Sequence, residues 1–344
     1  MSTELARETA TVPAAQRNVA CLYCCGTKLR PHFRDVKDRL RYVPGAWTFD
    51  RCEDCQSLLL APFPETHAIA GFYPPVYSFS LDLDNQNAIR RWLGWLEYRL
   101  FYGLQYRAQA AQVLKGISWR GDRGLRLLDI GCGRGLRLEA FHRLGFEVKG
   151  LDLQPEVVEY VRSRLGLEAN VGGTDSLATE IAPESCDVVT AFYLLEHVPN
   201  VQEVLAGCLR VLRPGGWFVG VVPICDGLQA QLFGQRWLHV TEAPRHLSLP
   251  SRGGLLVAAE RAGYEDLRLR SDVVLNCAGI VAGSLLPGSD LTSAYGRKRW
   301  LGPMIRRLAG GVCAIASIPF CVAENYLLSR TSHAMLLARK PARS

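Results

Sequence analysis

The 344-residue chain lacks an apolar core near its start: Met1 to Ala20 is polar, with Glu4, Arg7, Glu8 and Arg17. No secretory signal is expected there. It also lacks a concentrated basic stretch. The 40 Lys and Arg outnumber the 33 Asp and Glu by seven, but the arginines are spread along the chain. A polyanion binder usually gathers them in one place, so this mild excess does not imply nucleic acid. A disulfide framework is absent as well. Of twelve cysteines, Cys21, Cys24, Cys25, Cys52 and Cys55 crowd one short stretch. The rest stand singly among apolar neighbours, as small buried hydrophobes do. A chain this long needs no disulfide staples. The expectation is a cytoplasmic protein with reduced thiols. No internal repeat or low-complexity tract is visible. With 48% hydrophobic and 21% charged residues, disordered, collagen-like and coiled-coil classes are excluded.

The length suits one large domain with a small module, or two domains. Residues 1–18 read as a loose tail and 19–60 as a cysteine-bounded unit. Residues 61–124 read as a connector rich in Pro and aromatics (Pro62, Pro64, Phe72-Tyr73-Pro74-Pro75), then a helix over Ile89–Leu114. Strand and helix alternate over 125–272. Leu125–Ile130, Phe146–Leu151, Cys186–Phe192, Trp217–Val222 and Glu265–Arg270 read as strands. Arg137–Leu144, Pro155–Leu165, Val201–Leu212 and Gly253–Ala262 read as helices. This order implies an α/β fold, a mostly parallel, doubly wound sheet with helices on both faces. Residues 273–344 read as an apolar helical extension with a last short strand at Ala334–Ala338.

The most informative stretch is Leu127-Leu128-Asp129-Ile130-Gly131-Cys132-Gly133-Arg134-Gly135. A buried strand runs into a glycine turn that opens a helix. Glycine permits positive φ and close approach of a ligand. Asp152 ends the second strand, where a carboxylate can accept both hydroxyls of a ribose. A dinucleotide site wants its third glycine one position later, where Leu136 stands, which counts against an NAD-dependent dehydrogenase. Gly-x-Gly-x-Gly after Leu-Asp-Ile resembles the first motif of class I S-adenosylmethionine (SAM) dependent methyltransferases, Rossmann-like proteins.

Further segments extend that resemblance in the family's order. They are Cys186-Asp187-Val188-Val189, Leu195-Glu196-His197-Val198, and Leu209 to Gly216 with its Arg-Pro-Gly-Gly turn. Trp237, Pro244-Arg245-His246-Leu247 and Ala262-Gly263-Tyr264 resemble a small-molecule branch. The resemblance spans about Leu125–Tyr264. It implies seven strands with the last antiparallel. It also implies that Gly131, Gly133 and Gly135 lie under the methionine part of SAM, and that Asp129 orients it through the ammonium. Asp152 takes the ribose, Leu153 flanks the adenine, Asp175 faces the adenine amino group, and Phe192 lines the cleft.

SAM carries an activated methyl, so the protein must hold a nucleophile in line and exclude water. A hydroxyl nucleophile gains from a base, and imidazole suits neutral pH. His197 and His246 are the base candidates, with bracing of a loop as the structural alternative. Trp237 and His239 are placed as acceptor-pocket residues, with a core role as the alternative.

Cys21-Leu22-Tyr23-Cys24 and Cys52-Glu53-Asp54-Cys55 offer four sulfurs, the tetrahedral set that zinc prefers. Four thiolates leave no open position, so the zinc would be structural. Cys25 is a spare ligand. The gap between the pairs suggests an inserted hairpin around Tyr42–Phe49. A zinc knuckle can bind RNA, which keeps an RNA methyltransferase open. A SAM-binding scaffold without catalysis is a further alternative. The ribbon with the connector resembles methyltransferases of cell-envelope polysaccharide and secondary-metabolite pathways. That resemblance implies a small-molecule or sugar acceptor, methylated at oxygen or carbon.

Leu308–Ala323 runs sixteen residues without a formal charge, short of the ~20 that span a bilayer. Arg297, Lys298, Arg299, Arg306 and Arg307 precede it. One reading is a buried helix pair capping the substrate side. The other is a peripheral contact with the inner membrane face through 297–323, which would suit a lipid-linked acceptor.

Overall fold

The computed structural model describes residues 15–16, 19–73, 103–119, 124–287 and 301–342. Phe72-Tyr73-Pro74-Pro75 is therefore described only to Tyr73. The first part of the expected helix at Ile89–Leu114 and the cluster Arg297-Lys298-Arg299 lie outside these residues.

Along the chain come β1 (Ala15–Gln16), β2 (Leu29–Val36), β3 (Trp47–Cys52), β4 (Leu58–Ala61) and β5 (Phe63–Pro64), then α1 (Thr66–Ile69) and α2 (Gly103–Gly116). The alternating part follows: β6 (Arg126–Ile130), α3 (Leu136–His142), β7 (Glu147–Asp152), α4 (Pro155–Tyr160), β8 (Glu168–Val171), α5 (Ser176–Thr179), β9 (Cys186–Phe192), α6 (Val201–Val211) and β10 (Leu212–Pro223). The chain closes with α7 (Leu228–Phe233), β11 (Ser248–Leu249), α8 (Arg252–Arg261), β12 (Glu265–Ser271), α9 (Val274–Leu285), α10 (Leu301–Val322) and β13 (His333–Arg339).

The seven-stranded sheet has the order β12-β13-β10-β9-β6-β7-β8. Strand β13 runs antiparallel to both neighbours, and the pairs among β10, β9, β6, β7 and β8 are parallel. This matches the expected α/β architecture. Strand β9 is buried at every position, as a central parallel strand covered on both faces must be. Alternate residues feed two cores. Leu128, Val189, Phe218 and Leu336 pack with α6 and α8 on one face. Leu127, Val188, Val219 and Leu337 pack with α2, α3 and α4 on the other. Helix α6 buries Val201, Val204, Leu205 and Cys208 at helical spacing. It ends at the Arg-Pro-Gly-Gly turn, where Gly215 takes φ 75° and the β10–β9 register shifts.

The cysteine unit is built differently from expectation. The hairpin is β2 with β3, paired Arg30↔Arg51 and Leu29↔Cys52; Tyr42 to Ala46 lie in the connection between its strands rather than in a hairpin of their own. The Asp38 carboxylate holds the start of that connection as a loop, accepting from the N–H groups of Tyr42 (2.9 Å) and Val43 (3.0 Å), and the strand begins only at Trp47. The unit also shares a sheet with the rest of the chain: β11 pairs with β4, giving the order β11-β4-β3-β2. Helices α9 and α10 do pack together, through Cys277, Ala278, Val281 and Cys321. The buried-cap reading is corrected on one point: the outer face of α10 is exposed, with Leu308 at 65% and Val312 at 69%.

Candidate active site

The glycine turn folds back on β7. The N–H groups of Gly131 and Cys132 both donate to the Leu151 carbonyl, at 2.8 and 2.9 Å. Gly131, Gly133 and Gly135 take φ of 70°, 52° and 74°, the left-handed region where glycine carries no Cβ penalty. A Cβ at Gly135 would collide with Val161 and Leu165, each at 2.9 Å, so that glycine serves close packing. A Cβ at Gly133 would meet nothing within 4 Å. Its open side is backbone available to a ligand.

Asp152 closes the turn. Its carboxylate accepts from Gly133 N–H at 2.9 Å and from Gln154 N–H at 3.0 Å. Burial pushes its pKa up, and these two N–H groups pull it back. A carboxylate has about four acceptor sites, so two remain. Leu153 beside it is 74% exposed, and a Cβ on Gly173 would lie 2.8 Å from its side chain. Asp175 is exposed at the start of α5.

Asp129 is fully buried. Thr190 donates to its Oδ1 at 2.6 Å, and its Oδ2 has no partner. Burial raises its pKa to about 6, against the pull of Arg137 and Thr190. A buried orphan oxygen is costly, and a cationic ligand group would relieve it. Arg137, half-buried on the first turn of α3, faces this acid with its charge. Its guanidinium lies 4.5 Å from the Phe192 ring centre and 4.8 Å from that of Tyr106. Its Nε donates to Gln109 at 3.2 Å. An orphan acid, a paired acid with spare acceptors, an open glycine backbone and an exposed apolar flank fit the ammonium, ribose, backbone-facing chain and adenine of SAM.

Beyond Phe192 a row of rings crosses the molecule. Tyr193 lies 6.1 Å from His333, His333 4.8 Å from His239, His239 5.3 Å from His246, and His246 4.7 Å from His197. Tyr73 caps the row, its hydroxyl 3.0 Å from His197 Nδ1. The Nε2 atoms of His239 and His333 are hydrogen-bonded at 2.6 Å, one ring donating to the other. Burial lowers these imidazoles, His197 to about 4, His333 to about 4 and His246 to about 3. All are neutral at pH 7. Trp237 is fully buried behind His239, its ring 4.9 Å away. Tyr193 takes φ 56°, and its hydroxyl donates to the buried Asp272. Asn276 and Gln109 also donate to Asp272, at 3.0 and 2.8 Å.

The histidine loop is held by ions. Arg245 is fully buried between Asp38 (2.5 Å) and Glu242 (3.0 Å). Burial alone would raise Glu242, but the guanidiniums of Arg39 and Arg245 outweigh it and bring it to about 2. Asp38 and Arg39 belong to the cysteine unit, so that unit clamps the loop. Within it, Cys21, Cys24, Cys52 and Cys55 bring their sulfurs within 4.8 Å of one another. Cys21–Cys55 and Cys24–Cys52 are each 3.5 Å apart. Tetrahedral zinc–thiolate bonds imply sulfurs ~3.8 Å apart. Cys25 is exposed and stands outside this group. All cysteines are free.

Sequence reasoning reached the glycine turn, Asp129, Asp152, Phe192 and the four cysteines, and the structure brings each group together. It missed Arg137, Tyr193, Asp272 and His333. Arg137 carried a signal, a cation on the first turn of the glycine-opened helix.

A family profile described as "Methyltransferase domain" matches residues 102–269. Residues 102–269, just under half of the chain, are therefore similar to a methyltransferase domain, in keeping with the fold and the glycine turn. Among particular proteins, the chain is similar to the ubiquinone biosynthesis O-methyltransferases of Xanthomonas campestris pv. campestris and Xanthomonas oryzae pv. oryzae, at 42% and 41% identity over 98 residues. That stretch is 27% of this chain and 41% of theirs. Among solved structures, phosphoethanolamine N-methyltransferase 2 of Haemonchus contortus in complex with SAM aligns with TM-score 0.49 and 17% identity, over 91% of this chain and 68% of that one.

Proposed function

We propose that the protein transfers a methyl group from SAM to an oxygen or carbon of a small-molecule acceptor. The observation that carries this reading is the orphan oxygen of Asp129 beside the open backbone of Gly133. Among the described residues nothing donates to its Oδ2, and a SAM ammonium would. Bound SAM supplies an electrophilic methyl on its sulfonium. Asp129 holds the ammonium, Arg137 the carboxylate, and Asp152 the ribose hydroxyls. Leu153 covers the adenine, with Asp175 near its amino group.

Tyr193, His239, His246 and His197 then face the acceptor, backed by Trp237. His197 is the proposed base, with the His246 ring edge-on to it at 4.7 Å. The His197 Nδ1–H donates to the Arg245 carbonyl at 3.1 Å, which leaves the Nε2 lone pair for an acceptor proton. A histidine pushed down to about 4 is a weak base. Positioning and desolvation therefore carry more of the rate than proton transfer. The ubiquinone relatives favour oxygen as the methylated atom. The ribbon favours a sugar or related acceptor in a cell-envelope or secondary-metabolite pathway. We assign the four cysteines a structural zinc that braces the histidine loop.

The test is radiolabelled methyl transfer from SAM to panels of catechols, sugars and lipid-linked sugars. Labelled product in one class supports the reading. SAM binding with no transfer to any class leaves a non-catalytic scaffold.

A further inference from the structure

Helix α10 and the helical turn Ala323–Leu327 that continues it carry one face that nothing in the described residues covers. Ile305, Leu308, Val312, Ile315, Val322 and Tyr326 recur at three- and four-residue steps, with Pro319 completing the series. Each of the six is between 39% and 69% exposed. At 1.5 Å per residue the stripe is about 30 Å long. Contiguous apolar surface of this size marks a partner or a membrane.

Three observations select the occupant. The first is charge. From Leu291 to the last residue the chain holds nine basic residues and a single acid, Glu324, which is buried. Arg306 is exposed at one end of the stripe and Arg330 near the other. Two copies of such a face repel, whereas an anionic surface attracts it. The second is the flanks. Ala309, Gly311 and Ala316 border the stripe, where a helix-pairing seam would place opposite charges. The third is how the helix is tethered. Leu308–Leu327 is long and apolar enough to cross a bilayer, but Glu324 pins its end to the domain. The Glu324 carboxylate accepts from Ser332 at 2.6 Å and from Gln229 Nε2 at 2.6 Å. The helix is therefore held along the protein body with its apolar side outward. Tyr326 brings an amphipathic ring of the kind that settles at headgroup depth.

We propose that α10 docks the protein on a bilayer bearing anionic phospholipid, lying in the interface plane. Helix α9, packed against α10, carries Asn276 into the polar network around Asp272 and Tyr193. Docking thus sets the acceptor side of the cleft next to lipid and suits an acceptor with a lipid tail, a step that rests on the function proposed above.

The test is flotation of the full chain with vesicles of phosphatidylglycerol and phosphatidylcholine in equal parts, against pure phosphatidylcholine. The expected result is at least about tenfold stronger partition onto the anionic vesicles. Val312→Asp with Ile315→Asp should weaken it at least about tenfold, and Arg306→Gln with Arg330→Gln severalfold. S-adenosylhomocysteine binding by each variant, unchanged, shows that it folds. No flotation, or equal flotation with both vesicles, overturns the proposal. So does a dimer in sedimentation that the aspartates abolish without vesicle binding. Loss of the methyltransferase reading shows separately, as wild-type protein that floats but binds no S-adenosylhomocysteine.

Discussion

Replacing Asp129 with Asn separates what the carboxylate does for the fold from what it does for the ligand. Its side chain is fully buried, one oxygen bonds Thr190 at 2.6 Å, and the other has no partner. Burial raises its pKa from 3.8 to about 6. The sign follows from linkage. A raised carboxyl contributes stability below 3.8 that is lost as pH rises through about 6, so at pH 7 the folded state carries the cost of the charge. Two pKa units are about 3 kcal/mol. The amide keeps the Thr190 bond and removes the charge. It also buries N–H donors without partners, which returns about 1–2 kcal/mol. Asp129→Asn should therefore leave ligand-free stability equal or raise it by about 1–2 kcal/mol. The same change removes a charged hydrogen bond to the SAM ammonium, worth about 1.5–3 kcal/mol, or roughly 10–100-fold in affinity. The assay pairs urea unfolding without ligand with calorimetric titration of S-adenosylhomocysteine. Opposite signs in the two readouts identify an acid kept for a ligand. Wild-type affinity in the variant would show that Asp129 faces no cation.

Other consequences concern the rest of the site. Asp152→Ala should weaken S-adenosylhomocysteine by about 1–3 kcal/mol in calorimetry; unchanged affinity means the ribose lies elsewhere. His197, His246 and His333 sit below the ordinary 6.5 at about 4, 3 and 4. An unfolded chain thus gains protons first, and stability falls as pH drops from about 6.5 toward 4. His246→Gln should flatten that fall in urea titrations at pH 7.5, 6 and 5, and an identical slope would mean that His246 is solvated. Chelation of the proposed zinc, or Cys52→Ser, should abolish the proposed methyl transfer while S-adenosylhomocysteine still binds, because the ribbon clamps the histidine loop and not the glycine turn. Equal loss of both would give the ribbon a global role. Asp38→Ala removes one of the two acids paired with the buried Arg245 and should cost about 3–5 kcal/mol in unfolding; a neutral result would show that water reaches Arg245.

What was legible in the sequence was local. Cys186–Phe192 reads as a strand because both its faces are covered, which makes the run continuously apolar. Gly131 to Gly135 reads as a ligand turn because a positive φ at each glycine demands that residue. The two Cys pairs read as a metal unit because their spacing does so alone. Contacts across the chain were not legible. Asp272 meets Gln109 over 163 positions, and His239 meets His333 over 94; no period announces such pairs. Strand β11 joins the ribbon sheet with only two residues, too few to pattern. The face of α10 was hidden for another reason: a helix apolar all round looks the same in sequence whether its outer side meets protein, lipid or water.

The most direct test of the central claim is calorimetry of the purified chain with S-adenosylhomocysteine and, separately, with NAD. The account predicts one S-adenosylhomocysteine per chain, weakened by Asp129→Asn and by Asp152→Ala, and no heat from NAD. A protein that ignores S-adenosylhomocysteine, or takes NAD in its place, contradicts it.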